Sequence, residues 1–103
     1  LQNKQKALNL LGLAMRAGKV IAGTETVIMG LAKQKVKVVI IASDLHENSL
    51  EKVNRAVRKA NVQLVDLFTA DELAHAIGKK RKVIGITDQG FAKALAKNIN
   101  EGV

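Results

Sequence analysis

Ser43, Asp44 and His46 bring a hydroxyl, a carboxylate and an imidazole together just past an apolar run, and those groups are the parts of a hydrolytic centre. Adjacent loop residues rarely converge on one point, however, and no nucleophile elbow accompanies them. Loop and cap roles account for them more simply. His75 lies mid-helix between Ala74 and Ala76 on a polar face and reads as a solvated histidine. The two histidines lack clustered carboxylates, and the chain has no Cys. That excludes a thiolate metal site, a cysteine nucleophile and a disulfide. Asp44 and Asp88 each follow a strand end, where α/β folds place ligands. Capping of the following helix explains each of them. There is no P-loop and no dinucleotide fingerprint, and Gly12 and Gly18 fall within or at the end of a helix. We expect no catalytic residue, no metal and no cofactor.

Two other groups suit a polyanion. Lys79-Lys80-Arg81-Lys82 sets four cations in a row between a helix and a strand, where a loop end can grip phosphate oxygens. A solvated charge run guarding a strand start is the plainer reading. The second group is the turn Gly23-Thr24-Glu25-Thr26, which opens a helix. A helix start presents free N–H groups and partial positive charge. Glu25, Thr26 and Met29 share one face of that helix, apart from the Val27, Ile28 and Leu31 stripe, so the helix has a core side and an offered side. Thr24 and Glu25 also suit a simple cap and first turn.

The elements that must hold these groups follow from periodicity. Asn3 is the expected cap of a helix over 3–17, with Ala7, Leu8, Leu11, Ala14 and Met15 inward, Arg16 in its last turn and Gly18 at its end. A short strand over 19–22 leads through Gly23 to a helix over 24–33. The β-branched run over 36–42 reads as a central strand covered on both faces. Ser43, Asp44 and Asn48 mark a loop before a helix over 49–60, which turns Leu50, Val53, Val57 and Ala60 inward. A strand over 62–68 meets Thr69-Ala70-Asp71-Glu72, a capping box. Leu73, Ala74 and Ile77 face inward up to Gly78. A strand over 83–87 and a last helix capped by Asp88, with Phe91, Ala94 and Leu95 inward, close the chain. The order is α-β-α-β-α-β-α-β-α. Strands alternating with helices argue for a largely parallel sheet between helix layers.

Bulk properties bound the class. With 103 residues, 48% of them apolar, the chain is one domain over 1–103 with a core of its own. Two Phe and no Trp or Tyr leave a core of Leu, Val, Ile and Ala. Lys and Arg outnumber Asp and Glu by 17 to 9, a net +8. A small domain so charged draws polyanions, with nucleic acid the first candidate and an anionic membrane surface the second. No apolar stretch reaches the roughly 18 residues of a membrane span. No signal-peptide pattern opens the chain. Leu1 in first place leads us to expect a short natural start ahead of it. Lack of Cys suits a cytoplasmic location. Small size and the lack of an evident apolar patch suit a monomer.

Taken in order, the first helix, Arg16-Ala17-Gly18-Lys19, the Gly23-Thr24 turn, the strand over 36–42, Glu72-Leu73-Ala74 with the helix end at Gly78, and Thr87-Asp88-Gln89-Gly90 resemble the L7Ae/L30e family of ribosomal and kink-turn RNA-binding proteins. The ending Ile86-Thr87-Asp88-Gln89-Gly90-Phe91-Ala92 is similar to its bacterial YlxQ-like branch. The resemblance spans nearly the whole chain. It implies a three-layer α/β/α sandwich with a four-stranded mixed sheet, RNA held at Gly23 onward, and a second contact from residues 78–82. The kink-turn binders carry Gly-x-Asn-Glu-x-x-Lys at the turn. Laid without gaps, that pattern puts Glu25 for Asn, Thr26 for Glu and Met29 for Lys, so only Gly23 matches. The apolar loop of those proteins is replaced by a shorter cationic one. The fold and an RNA-facing surface carry over; kink-turn recognition does not.

The reading that results is binding without catalysis. Lys79, Lys80, Arg81 and Lys82 contact phosphates of a bent or looped RNA, and Arg16, Lys19 and Lys33 extend the positive surface. Gly23 lets the RNA backbone approach, and Thr24, Glu25, Thr26 and Met29 face the bases. Without Tyr or Trp, stacking of single-stranded bases is disfavoured, so structured RNA is expected, ribosomal or another non-coding RNA. The rival is a protein-interaction adaptor in a ribosomal or other RNA–protein assembly, which would meet ribosomal or translation proteins. An enzyme, or the accessory domain of an RNA-modifying enzyme, is a third reading.

Overall fold

The apolar periods resolve into alternating helices and strands in a computed structural model that describes residues 2–101, with side chains over 4–99. Among the described residues the elements are α1 (Gln2–Arg16), β1 (Val20–Ala22), α2 (Thr24–Ala32), β2 (Val38–Ala42), α3 (Glu47–Ala60), β3 (Gln63–Phe68), α4 (Ala70–Ile77), β4 (Val83–Ile86) and α5 (Gln89–Glu101). The order is the expected one. Asn3 lies inside α1 instead of capping it, and α3 starts at Glu47, ahead of Ser49.

The strands form one sheet in the order β1-β4-β2-β3. β2 pairs parallel with β3, whereas β4 runs antiparallel to both β1 and β2. The sheet is mixed, as the family resemblance implies, and not the largely parallel one that the alternation of strands and helices alone suggests. Element length supplies the reason. The 14 residues of α3 rise about 21 Å, enough to carry the chain back along the sheet and start β3 level with β2. The 8 residues of α4 rise only about 12 Å. The chain then returns through residues 78–82 to the end where α4 began, and β4 must run the other way.

Helices cover both faces. Ala7 and Leu11 of α1, Leu73 and Ile77 of α4, and Ala92 and Leu95 of α5 pack on Val38, Ile40, Ala42, Ile84 and Ile86. Val27 and Leu31 of α2 and Val53 and Val57 of α3 pack on Val39, Ile41 and Val83 from the opposite side. The strict alternation along β2 is the period-two signature of a strand covered on both faces. In α5, Ala92 and Leu95 are buried while Phe91 and Ala94 are half-buried, so the inward stripe sits slightly off the expected one. α2 lies close on the sheet because two glycines leave room. A Cβ at Gly30 would stand 2.7 Å from Ile21 Cδ1 and 2.9 Å from Val36 Cγ2. One at Gly85 would meet the Val36 methyls at 3.2 Å.

The helix ends are built largely as the residues suggest. Gly18 takes φ 74° after α1, and the Lys19 N–H donates to the Ala14 carbonyl at 2.9 Å. Thr69 and Glu72 form the reciprocal capping box at 3.2 and 2.9 Å, and Gly78 closes α4 at φ 79°. Asp88 Oδ2 accepts from the Phe91 N–H at 2.9 Å and so caps α5. Asp44 departs from the pattern. It caps no turn of α3; its Oδ1 accepts from the Ala70 N–H at 3.1 Å and ties the β2 end to the start of α4.

Candidate nucleic-acid interface

Strand directions give the sheet two rims. At the upper rim β1, β2 and β3 end, β4 begins, and α2, α3 and α4 start. At the lower rim β1, β2 and β3 begin and β4 ends. The glycine turn and the basic loop meet at the upper rim. The Gly23 N–H donates to the Val83 carbonyl at 2.8 Å, and the Ala42 N–H donates to the Lys82 carbonyl at 2.8 Å. The backbone at Lys82 is therefore held between the end of β1 and the end of β2. Gly23 has φ 104° and ψ 141°, a conformation that L side chains avoid, and this turn delivers the chain from β1 straight into α2.

The side chains around this turn are open to solvent. Lys79, Lys80, Arg81 and Lys82 are all exposed, and Arg81 Nη1 donates to the Lys80 carbonyl at 2.9 Å, which folds the guanidinium back along the loop. Glu25 and Thr26 are exposed, Gly23 and Thr24 half-buried, and Met29 is 58% exposed one turn further along α2. Gly23, the N-cap of α2, has no side chain with which to cap it. Its first-turn N–H groups thus have no side-chain acceptor at Gly23, as an anion-binding helix start requires. Glu25 carries the one local negative charge of that turn and sits 3.8 Å from Lys52 Nζ on α3. Lys52 joins this surface through α2–α3 packing, which the sequence alone does not show.

Three expected members are elsewhere. Arg16 ends α1, Lys19 precedes β1 and Lys33 follows α2, so all three belong to the lower rim. β1 separates Lys19 from Gly23 by about 13 Å, and α2 separates Lys33 from Thr24 by a similar rise. The structure thus sets Gly23 beside the Lys82–Val83 backbone at the upper rim, with Thr24, Glu25, Thr26 and Met29 following along α2 and residues 79–81 preceding along the loop, and puts Arg16, Lys19 and Lys33 at the other rim. Ser43, Asp44 and His46 also lie at the upper rim. Asp44 is engaged with Ala70, and His46 precedes α3 without a side-chain cap bond, so the three do not form a relay. Among the described residues no cluster of His, Cys, Asp and Glu has the makings of a metal site, and no helix is long and apolar enough to cross a membrane.

Comparison with known proteins identifies relatives of the chain and of its fold. The model of the ribosomal protein L7Ae/L30e/S12e/Gadd45 family matches residues 5–96. The RNA-binding protein YlxQ of Enterococcus faecium is 47% identical over 100 residues, covering 97% of this chain and 96% of that one. The RNA-binding protein YlxQ of Bacillus subtilis (strain 168) is 37% identical over 87 residues, or 84% of this chain and 87% of that one. A solved structure of a protein with unknown function from Bacillus halodurans C superimposes with a TM-score of 0.89 at 34% identity, covering 92% of this chain and 97% of that chain. The Giardia lamblia 15.5kD RNA binding protein superimposes at 0.79 with 19% identity, over 98% of this chain and 88% of that chain, a likeness of fold.

Proposed function

The chain belongs to the ribosomal protein L7Ae/L30e/S12e/Gadd45 family, and on that premise we propose that it is a non-catalytic RNA-binding protein whose upper rim takes structured RNA. The observation that carries the reading is the 2.8 Å bond from the Gly23 N–H to the Val83 carbonyl, which fixes the uncapped start of α2 beside the cationic loop 79–82. Lys79, Lys80, Arg81 and Lys82 neutralise phosphates on one side of a bend. Gly23 admits the sugar–phosphate backbone without a Cβ in its way. Thr24, Glu25 and Thr26 offer hydroxyl, carboxylate and N–H groups to base edges, and Met29 offers an apolar surface. Phosphate contacts set position and base edges set selectivity. Without the Asn, Glu and Lys of the kink-turn pattern, the RNA is recognised by shape and charge more than by that motif. A ribosomal or other translation-associated non-coding RNA in the cytoplasm, bound by a monomer, fits the family and the charge.

A salt titration on a folded RNA hairpin tests this. Neutralising about four to six phosphates gives a slope of log K against log salt of roughly −3 to −5. Lys80→Glu with Arg81→Glu should weaken capture by at least about tenfold, since two contacts become repulsions. An affinity indifferent to salt overturns the mechanism. RNA capture unchanged by the double charge reversal would favour the adaptor reading instead.

A further inference from the structure

The carboxylates crowd the upper rim, where the cations of the loop 79–82 also lie, and are sparse at the lower one. Glu25, Asp44, Glu47, Glu51, Asp71 and Glu72 all lie in the loops or first two turns that leave the upper rim. At the lower rim stand Arg16, Lys19, Lys33, Lys35, Lys37 and Lys59, every one of them exposed. Asp88 lies in the turn that leaves this rim, and its Oδ2 already accepts from the Phe91 N–H. Arg16, Lys33 and Lys59 sit at helix C-termini, where a cation offsets the dipole. Lys19, Lys35 and Lys37 lie outside the helices, and that service does not account for them.

These cations are arranged, not merely near one another. Lys19 and Lys37 bracket the end of β4: the Thr87 N–H donates to the Lys19 carbonyl at 2.9 Å and the Lys37 N–H to the Ile86 carbonyl at 2.8 Å. Two strand spacings set their backbones about 10 Å apart. Between α2, the loop 33–37 and the end of α3 opens a cleft of about 800 Å³, with Lys37 and Lys59 in its lining and no carboxylate. The amides of Gln34, Asn61 and Gln89 line it too, and the rest of the lining is apolar, Ile28, Leu31 and Val36 among it. Gln34 holds φ 59°, a left-handed conformation unusual for a residue with a γ-carbon chain, and it makes the turn that carries Lys33, Lys35 and Lys37 on one loop. Amide and ammonium donors without carboxylates are what a phosphate backbone requires, and a strand of β2's length separates this cleft from the upper rim by about 17 Å.

We infer that the lower rim is a second RNA-backbone surface, so that one protomer joins two RNA segments at its opposite ends. The inference rests on the RNA-binding reading of the upper rim and gives Arg16, Lys19 and Lys33 a place in it. The lower surface should depend little on RNA sequence, because its exposed cations meet phosphates, which carry no sequence information.

Two unrelated RNA hairpins, one with a donor dye and one with an acceptor, provide the test. Wild-type protein at half the total RNA concentration should produce energy transfer between them. Lys35→Gln, Lys37→Gln and Lys59→Gln together should abolish that transfer. Near physiological salt the same variant should bind a single hairpin within about twofold of wild type, as distant independent sites do, and circular dichroism should show it folded. Single-hairpin binding by wild type without energy transfer overturns this inference and leaves the upper-rim reading intact. Transfer that survives the triple substitution overturns it as well. So does efficient displacement of the second hairpin by polyglutamate or phosphatidylserine vesicles but not by unlabelled RNA, which would assign the cleft to an acidic protein or a membrane. Failure of wild type to hold even one hairpin would instead sink the RNA-binding reading itself.

Discussion

Met29 is more than half exposed one helical turn beyond Glu25, and these two side chains decide what the start of α2 can read. A thioether donates no hydrogen bond, so Met29 grips neither a phosphate nor a base edge as a lysine would. Glu25 sets a carboxylate where the helix start favours an anionic ligand, and its exposed pair with Lys52 at 3.8 Å offsets little of that charge. The substitutions Glu25→Asn, Thr26→Glu and Met29→Lys, made together, restore the kink-turn pattern on an unchanged backbone. They should create a preference for a kink-turn RNA over the same sequence paired straight of about tenfold, the scale of one well-made base contact. Paired affinity measurements on the two RNAs check it. Equal affinities would assign selectivity to the loop 79–82 instead. The sequence made these departures plain once Gly23 was aligned. It could not show that Lys52 stands beside Glu25, because that proximity comes from packing between two helices and joins residues 27 apart in the chain.

At the scale of elements, two local devices hold the upper rim in place. The first is the close seat of α2. Gly30→Ala adds helix propensity worth about 1 kcal/mol but drives a methyl to 2.9 Å from a branched Val36. Overpacking costs about 1–3 kcal/mol, and a β-branched side chain has no free rotamer to yield. A net loss of about 1 kcal/mol is expected, read as a lower denaturation midpoint in urea at unchanged slope. The second device is the α4 cap. Glu72 is held below the usual glutamate range, first by its bond from the Thr69 N–H and then by the Lys4 ammonium at 3.0 Å. A depressed carboxyl pKa gives stability that is present above the unfolded value and lost as pH falls through the folded one. Thermal stability should therefore drop on acidification through that range, and Glu72→Gln should flatten the drop; an identical acid profile in the variant would exclude the cap as its source. The capping box was legible in four consecutive residues because its chemistry is local. Strand direction was not legible in the alternation of α and β. It depends on whether a connecting helix is long enough to cross the sheet, and α4 is too short where α3 is not. Gly30 and Gly85 gave no signal for a related reason: a glycine's role here is the space that Val36 and Ile21 fill from elsewhere in the chain.

Over the whole molecule, a field from +8 acts on any RNA before a contact is made. Pooling cations by sign alone gathered Arg16, Lys19 and Lys33 with the loop 79–82, although the strand read over 19–22 already set Lys19 and Gly23 at opposite ends. Net charge and contact are separable in kinetics. Removing three cations with Lys35→Gln, Lys37→Gln and Lys59→Gln lowers +8 to +5, and removing four by changing residues 79–82 to Gln lowers it to +4. Both changes weaken steering, so both should slow association with a single hairpin severalfold at low salt. Near physiological salt the Debye length is about 8 Å, shorter than the sheet is long, and the lower-rim effect on association should shrink to about twofold or less. Dissociation reports contact instead, since losing a direct phosphate partner shortens the life of the complex. The loop variant should release a hairpin at least about tenfold faster, and the lower-rim variant should release it at the wild-type rate. Stopped-flow mixing with labelled hairpin separates the two constants. Equal acceleration of release by both variants would mean that a single RNA spans the molecule from rim to rim, and the division of the charge into two surfaces would fail.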